Sequence, residues 1–82
     1  MDDLENIKAD ILVDCRGLSC PMPILRVKKE LKSMKKGQIV ELWSTDPGSK
    51  KDMPDFAVKQ GEEFLGYVDE AGYTRYLIKK GG

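Results

Sequence analysis

Two cysteines, Cys15 and Cys20, carry most of the reactive chemistry that this sequence offers, within the stretch DCRGLSCPMPIL. The chain of 82 residues contains no histidine. It therefore lacks the usual general base, the usual metal ligand and any partner for a Cys-His nucleophile pair. A thiol that reacts here must be activated by its surroundings, and neither a metal site nor a cofactor is expected.

Cys20 is the stronger candidate for a reactive thiol, because two prolines follow it at positions 21 and 23. Proline is favoured at the first helical position, so Pro21 predicts a helix with Cys20 as its N-cap. The positive end of a helix lowers the pKa of a thiol from about 8.5. Pro23 removes one amide of the first turn and leaves those of Met22 and Ile24 as donors. Together the prolines are expected to stiffen this turn.

Positive charges close to Cys20 in the sequence are expected to support it. Arg16, four residues upstream, would lower the thiol pKa further. The following helix has a basic face, usually only a solvated surface, and its alternative role is docking of a partner, with Arg26 and Lys29 as the candidates. The cations of this face are Arg26, Lys28, Lys29, Lys32, Lys35 and Lys36.

Cys15 ends an apolar run, and this position favours a packing role. The alternative is a second thiol that pairs with Cys20 in a dithiol redox or regulatory protein. The sequence leaves both interpretations open.

Hydrophobic periodicity predicts two strands and a helix in the first half of the chain. Residues 10–14 form a short apolar run, typical of a buried strand. A helix follows, with Gly37 as its expected C-terminal cap, and residues 38–44 predict the second strand. The apolar stripe of this helix consists of Ile24, Val27, Leu31 and Met34.

In the second half, the turn-forming segment STDPGS precedes a second helix. This helix is predicted to begin near Ser49, which with Asp52 resembles a capping box, and to end at Gly61. Pro54 is expected in its first turn or at a kink. Its predicted buried face consists of Met53, Phe56, Ala57 and Gln60.

Two further strands, residues 63–68 and 73–79, are predicted to form a hairpin with four loop residues. The element order β-α-β-α-β-β predicts one α+β domain over residues 1–82, a two-layer α/β sandwich. Both helices would cover one face of a four-stranded mixed sheet. Right-handed crossovers make the first three strands parallel, and the hairpin makes the fourth antiparallel. The open face would carry Glu41, Trp43 or Arg75, depending on register.

Charge and hydropathy exclude some classes of partner. Lys and Arg number 14, as do Asp and Glu, so no global charge attracts nucleic acid or a membrane surface. No apolar stretch approaches the roughly 18 residues of a membrane span, and the acidic start MDDLENIKAD is unlike a signal peptide. A cytoplasmic location is expected, where free thiols are commoner than disulfides.

Four segments share the pattern of a known family. They are DCRGLSCPMP, the basic helix after it, DPGSKKDMP and the ending YLIKKGG. On these segments, which extend over nearly the whole chain, the sequence resembles the TusA/SirA family of sulfur carriers with its CPxP motif. Cys15 is a departure, since many members have another residue there.

The resemblance implies that Cys20 accepts sulfane sulfur from a cysteine desulfurase or a rhodanese. The thiol would hold the sulfur as a persulfide and pass it to an acceptor protein. The pathways implied are thiolation of tRNA wobble uridine, molybdenum cofactor synthesis and sulfur oxidation. An accessible, acidic thiol without a deep pocket suits such a shuttle, which acts with partner proteins more than as an independent catalyst.

Other interpretations stay open from the residues alone. Besides the dithiol protein, the terminal Gly81-Gly82 is similar to ubiquitin-like carriers, which hold sulfur as a C-terminal thiocarboxylate. Those folds open with a β-hairpin, whereas here one strand is predicted before the helix. A module that binds partners through its basic helix is a third alternative.

Overall fold

The computed structural model describes residues 7–19 and 21–81, so Cys20 lies outside the described residues. The predicted element order is confirmed. The elements are β1 (Ile11–Cys15), α1 (Met22–Ser33), β2 (Ile39–Ser44), α2 (Ser49–Lys59), β3 (Glu63–Glu70) and β4 (Tyr73–Lys79).

The four strands form one mixed sheet in the order β1-β2-β4-β3. β1 pairs with β2 in parallel, and β4 is antiparallel to both β2 and β3. The predicted strand directions and the α+β sandwich are therefore confirmed, with β4 lying between β2 and β3. Trp43 pairs with Arg75 and Glu41 with Leu77, which places Glu41, Trp43 and Arg75 together on the face opposite the helices.

Both helices pack on one face of the sheet and enclose the core. The buried side chains of α1 and its C-terminal extension follow the predicted stripe, with Ile24 half-buried at the edge. In α2, Met53, Phe56 and Ala57 are buried as predicted. Gln60 is exposed, against the prediction, because the helix has already ended and Gln60 is its C-cap.

The end of α1 differs from the prediction. The helix stops at Ser33, and Met34 is extended (φ −83°, ψ 151°) with its side chain buried. Leaving the helix at this point lets Met34 reach the core. Gly37 adopts φ 91° in the turn before β2, where its amide donates to the Lys80 carbonyl at 3.0 Å.

The C-terminal end of α2 agrees with the prediction, whereas its N-terminal cap does not. Gly61 ends the helix as predicted, with φ 76°, and the amides of Gly61 and Glu62 close a Schellman motif on Val58 and Ala57. The capping box is wrong, because Gly48 is the N-cap and the hydroxyl of Ser49 instead pairs with that of Ser44 at 3.1 Å.

Pro54 lies inside α2, beyond its first turn. The β3–β4 hairpin is tighter than predicted, because Asp69 and Glu70 still pair with Thr74 and Tyr73. Two residues, Ala71 and Gly72, make the turn, and the φ of 87° at Gly72 suits such a short connection. In the described part of the chain, no helix is long and apolar enough to cross a membrane.

Candidate functional site

The turn from β1 to α1 precedes Cys20 and is held by several hydrogen bonds. Within it, the amide of Leu18 donates to the Cys15 carbonyl at 3.1 Å. Across the sheet, the amide of Gly17 donates to Oγ1 of Thr45, which directly follows β2, at 2.9 Å. Gly17 has φ 84°, a conformation that favours glycine. The main chain that leads to Cys20 is therefore fixed to the end of β2.

Arg16 lies on this turn with its charge already paired. Its Nε and Nη2 atoms donate to the two carboxylate oxygens of Asp14 at 3.0 and 2.9 Å. This bidentate pair lowers the pKa of Asp14 and raises that of Arg16. The guanidinium also lies over the rings of Trp43 and Tyr73. The effect of Arg16 on the Cys20 thiol stays a prediction, reduced by the compensating charge of Asp14.

The start of α1 is one residue later than predicted. Pro21 is the N-cap (φ −97°, ψ 12°), Met22 opens the helix and Pro23 is the second helical residue. The prediction that Cys20 is the N-cap and Pro21 the first helical residue is therefore wrong. The amide of Met22, a predicted donor to the thiolate, donates instead to the Ser19 carbonyl at 3.0 Å. Pro23 is fully buried, so it packs in the core as well as stiffening the turn.

Cys15 is inside the hydrophobic core with 0% of its surface exposed, and its thiol is free. Burial raises the pKa of the Cys15 thiol, which therefore stays protonated at neutral pH. A partner sulfur cannot reach it in the folded protein. The arrangement fits the packing interpretation, whereas the dithiol alternative stays a prediction, because Cys20 lies outside the described residues.

The exposed side of α1 next to Cys20 in the sequence combines apolar and basic groups. Met22 and Leu25 are 40% and 50% exposed, and both line a surface groove of about 510 Å³. We call it the α1 groove, and its lining is completed by Arg26, Lys29 and Glu30. The sequence prediction found Arg26 and Lys29 but not the two apolar residues. The sequence signal that could have found Met22 and Leu25 is that both are apolar but lie outside the apolar stripe of α1.

The predicted basic face is shorter than the sequence indicated. Arg26, Lys28, Lys29 and Lys32 are on α1, whereas Lys35 and Lys36 follow its end at Ser33. Arg26 and Lys29 are thus the cations of the α1 groove. Lys35 and Lys36 lie at the opposite end of the helix from Pro21.

The C-terminal end of the described chain is packed against α2. The amide of Gly81 donates to Glu62 Oε1 at 2.7 Å, and the Lys80 ammonium contacts Glu62 Oε2 at 3.3 Å. A ubiquitin-like carrier needs a terminus that reaches out to other proteins, whereas here Gly81 is docked. A single strand, β1, precedes α1 in the described residues, so the opening hairpin of that class is also not seen there.

Among residues 7–19 and 21–81, no three His, Cys, Asp or Glu side chains are grouped to hold a metal ion.

We expect the Cys20 thiol to titrate below the value of about 8.5 of a free thiol, because it directly precedes the positive end of α1. The alkylation rate of Cys20 with iodoacetamide, measured against pH and assigned by peptide mass, gives the midpoint. Cys15 is the internal control, since its buried thiol should react slowly at every pH in the folded protein. A Cys20 midpoint at or above about 8.5 would contradict this expectation.

Comparison with solved structures defines the class of protein. A SirA-like protein from Desulfitobacterium hafniense matches with a TM-score of 0.76 and 26% identity, over 88% of this chain and 99% of that one. The mixed sheet with two helices on one face is therefore the SirA-like fold.

Sequence comparison gives the family. The family described as "Sulfurtransferase TusA" matches residues 11–80. The sulfur carrier protein TusA of Allochromatium vinosum is 47% identical over 68 residues, which cover 83% of this chain and 90% of that protein. YrkF of Bacillus subtilis is 42% identical over 76 residues, 93% of this chain, but the match spans only 41% of that longer protein. The chain belongs to the TusA family, and it is a sulfur carrier.

Proposed function

We propose that Cys20 carries sulfane sulfur as a persulfide between a donor and an acceptor protein. The observation that supports this most is the burial of Cys15. The chain has two cysteines, and Cys15 is 0% exposed. Cys20 is therefore the thiol left for exchange with other proteins, at the position of the CPxP motif of the family.

The transfer is a pair of thiol exchanges that balance without an oxidant. The Cys20 thiolate attacks the outer sulfur of a donor persulfide, forms a new S–S bond, and releases the donor thiolate with the electron pair. An acceptor thiolate then attacks the outer sulfur on Cys20, and the Cys20 thiolate leaves. A lowered thiol pKa serves both steps, since it raises the thiolate fraction and improves the leaving group.

The donor in this proposal is a cysteine desulfurase or a rhodanese, and the acceptor is a protein thiol. The carrier acts in the cytoplasm, where thiols are kept reduced. The downstream product is a thiolated tRNA uridine, molybdenum cofactor or a product of sulfur oxidation, which the acceptor decides.

Mapping the carried sulfur tests the proposal directly. The wild-type protein is loaded with inorganic polysulfide, alkylated and digested, and the extra sulfur is located by peptide mass. We expect it on the peptide that contains Cys20 and not on that of Cys15. Sulfur on Cys15, or a thiocarboxylate at Gly82, would refute the assignment.

We further propose that partner proteins dock on the α1 groove. Leu25 and Met22 offer apolar contact there, and Arg26 and Lys29 offer positive charge. Charges at the rim of an interface act mainly on the association rate. A partner with an acidic surface around its own reactive sulfur would therefore be guided toward Cys20.

Reversing the charges of Arg26 and Lys29 to Glu is expected to slow sulfur transfer from a persulfidated rhodanese roughly tenfold at low salt, because electrostatic guidance is lost. Added salt should narrow the difference, since screening acts over about 8–10 Å at physiological ionic strength. The second-order rate is measured by the loss of persulfide from the donor.

Lys35→Glu with Lys36→Glu is the matched control for this reversal. It makes the same change in net charge on two exposed residues beyond the end of α1. Alkylation by neutral iodoacetamide should stay close to wild type in both variants. If the control slows the transfer as much as the reversal in the α1 groove, net charge rather than this groove guides the donor.

A further inference from the structure

We propose that Thr45, Trp43 and Tyr73 are positioning residues for sulfur transfer, because they hold, through Gly17 and Arg16, the turn that leads to Cys20. This inference rests on the proposed role of Cys20. Thr45 follows β2, Trp43 belongs to β2 and Tyr73 to β4.

The first link joins the main chain of the turn to the sheet. Thr45 Oγ1 accepts the amide hydrogen of Gly17 at 2.9 Å, across 28 positions of sequence. Among the described residues of the turn, the other hydrogen bonds join close neighbours, Arg16 to Asp14, Leu18 to Cys15 and Met22 to Ser19. Such local bonds fix the shape of the turn. The bond to Thr45 also fixes where the turn lies relative to β2.

The second link joins the side chain of Arg16 to the open face of the sheet. The guanidinium carbon is 4.8 Å from the ring centre of Trp43 and 5.4 Å from that of Tyr73. The two rings are themselves in contact, with their centres 5.1 Å apart. Asp14 holds the planar guanidinium in this orientation by its bidentate pair. A planar cation stacked on rings and forked to a carboxylate is a geometry that lysine cannot reproduce.

The aromatic pair is in turn held by charged residues on the open face. The indole Nε1 of Trp43 donates to Glu41, and Arg75 forms ion pairs with Glu41 at 3.7 Å and Glu70 at 2.9 Å. Contacts therefore continue from the middle of the sheet, through Trp43, to the turn before Cys20.

Position matters in this chemistry because three sulfurs must align for each exchange. A misplacement of about 1 Å can slow a reaction by about a hundredfold. If Arg16 served only by its charge, Asp14 would cancel most of the benefit, and lysine would serve equally well. If it serves by holding the turn, lysine should fail.

Arg16→Lys and Thr45→Val are the central variants. We expect each to slow loading of Cys20 by a persulfidated rhodanese about tenfold, since the turn loses one link to the sheet. Thr45→Ser keeps the hydroxyl and should restore the wild-type rate. Tyr73→Leu alone should slow loading of Cys20. In the double variant with Arg16→Lys it should cause little further slowing, because the Tyr73 ring acts through the Arg16 guanidinium.

Lys50→Gln is the control for general loss of stability. Lys50 also pairs with a carboxylate, Asp69 at 2.9 Å, and lies 5.2 Å from the ring centre of Tyr67, and both partners belong to β3, at the opposite edge of the sheet from β1. Its loading rate should equal that of wild type, while thermal unfolding shows any shared loss of stability.

The outcomes separate the two proposals. Full loading by Arg16→Lys, no rescue by Thr45→Ser, or equal slowing by Lys50→Gln would overturn the positioning role. Loading of wild type at a site other than Cys20 would instead refute the proposed function. Slow loading of Cys20 in Arg16→Lys and Thr45→Val, with rescue by Thr45→Ser, supports the inference.

Discussion

Replacing Cys20 with serine is expected to abolish sulfur loading completely, whereas replacing Cys15 with alanine should leave it intact. A serine hydroxyl is not ionised at neutral pH and does not form a persulfide. Cys15 is buried, so its removal takes no accessible thiol from the protein. The measurement is the stoichiometry of added sulfur by intact mass after incubation with polysulfide, with the persulfide confirmed by its loss on reduction.

Both variants need a check of the fold, because Cys15 contributes to the hydrophobic core. Loss of its sulfur leaves a small void and costs about 1 kcal/mol. Circular dichroism and thermal unfolding show whether each variant remains folded. A Cys15→Ala protein that folds but no longer loads sulfur would favour the dithiol interpretation. Loading that survives in Cys20→Ser would refute the carrier thiol.

The second large effect is expected at Gly81, where alanine should destabilise the fold. A Cβ atom at Gly81 would overlap the carbonyl oxygen of Gly61 and lie 3.3 Å from Cα of Glu62. These are backbone atoms, fixed by the Schellman motif at the end of α2. Overpacking of this kind costs typically about 1–3 kcal/mol. In a domain of this size, we expect the unfolding midpoint to fall by roughly 10 °C.

Gly48→Ala is the matched control for this substitution. Gly48 has helical φ and ψ, and the closest atom to a Cβ there is 3.6 Å away. Its unfolding midpoint should stay within a few degrees of wild type. If Gly81→Ala is equally well tolerated, the docking of Gly81 against Gly61 does not contribute to stability.

Much of the fold was predictable because local patterns and global packing agree. The stripe of α1, the glycine that ends α2 at position 61 and the position of β2 each follow from periodicity and backbone conformation. The end of α1 could not be predicted in this way. The hydrophobic pattern of the helix continues toward Gly37, but the chain leaves the helix at Ser33 because Met34 is then buried in the core. The hairpin loop was predicted to be too long, because Asp69 and Glu70, which belong to β3, are residue types typical of loops.

The site was predictable in part. The prolines after Cys20 indicated the start of α1 to within one residue, but no local pattern shows that the Met22 amide donates to the Ser19 carbonyl instead. The pairing of Arg16 with Asp14 and its stacking on Trp43 and Tyr73 depend on strand register. Such contacts between distant segments are fixed only when the sheet forms.

The burial of Cys15 also affects how the protein could recover from oxidation of its other thiol. A sulfenic acid formed on Cys20 normally recovers by condensing with a nearby thiol. The chain has one other cysteine, and it is enclosed at the end of β1. On the proposed role of Cys20, reduction of an oxidised thiol there falls to an external reductant such as glutathione, because the enclosed Cys15 offers no accessible partner thiol.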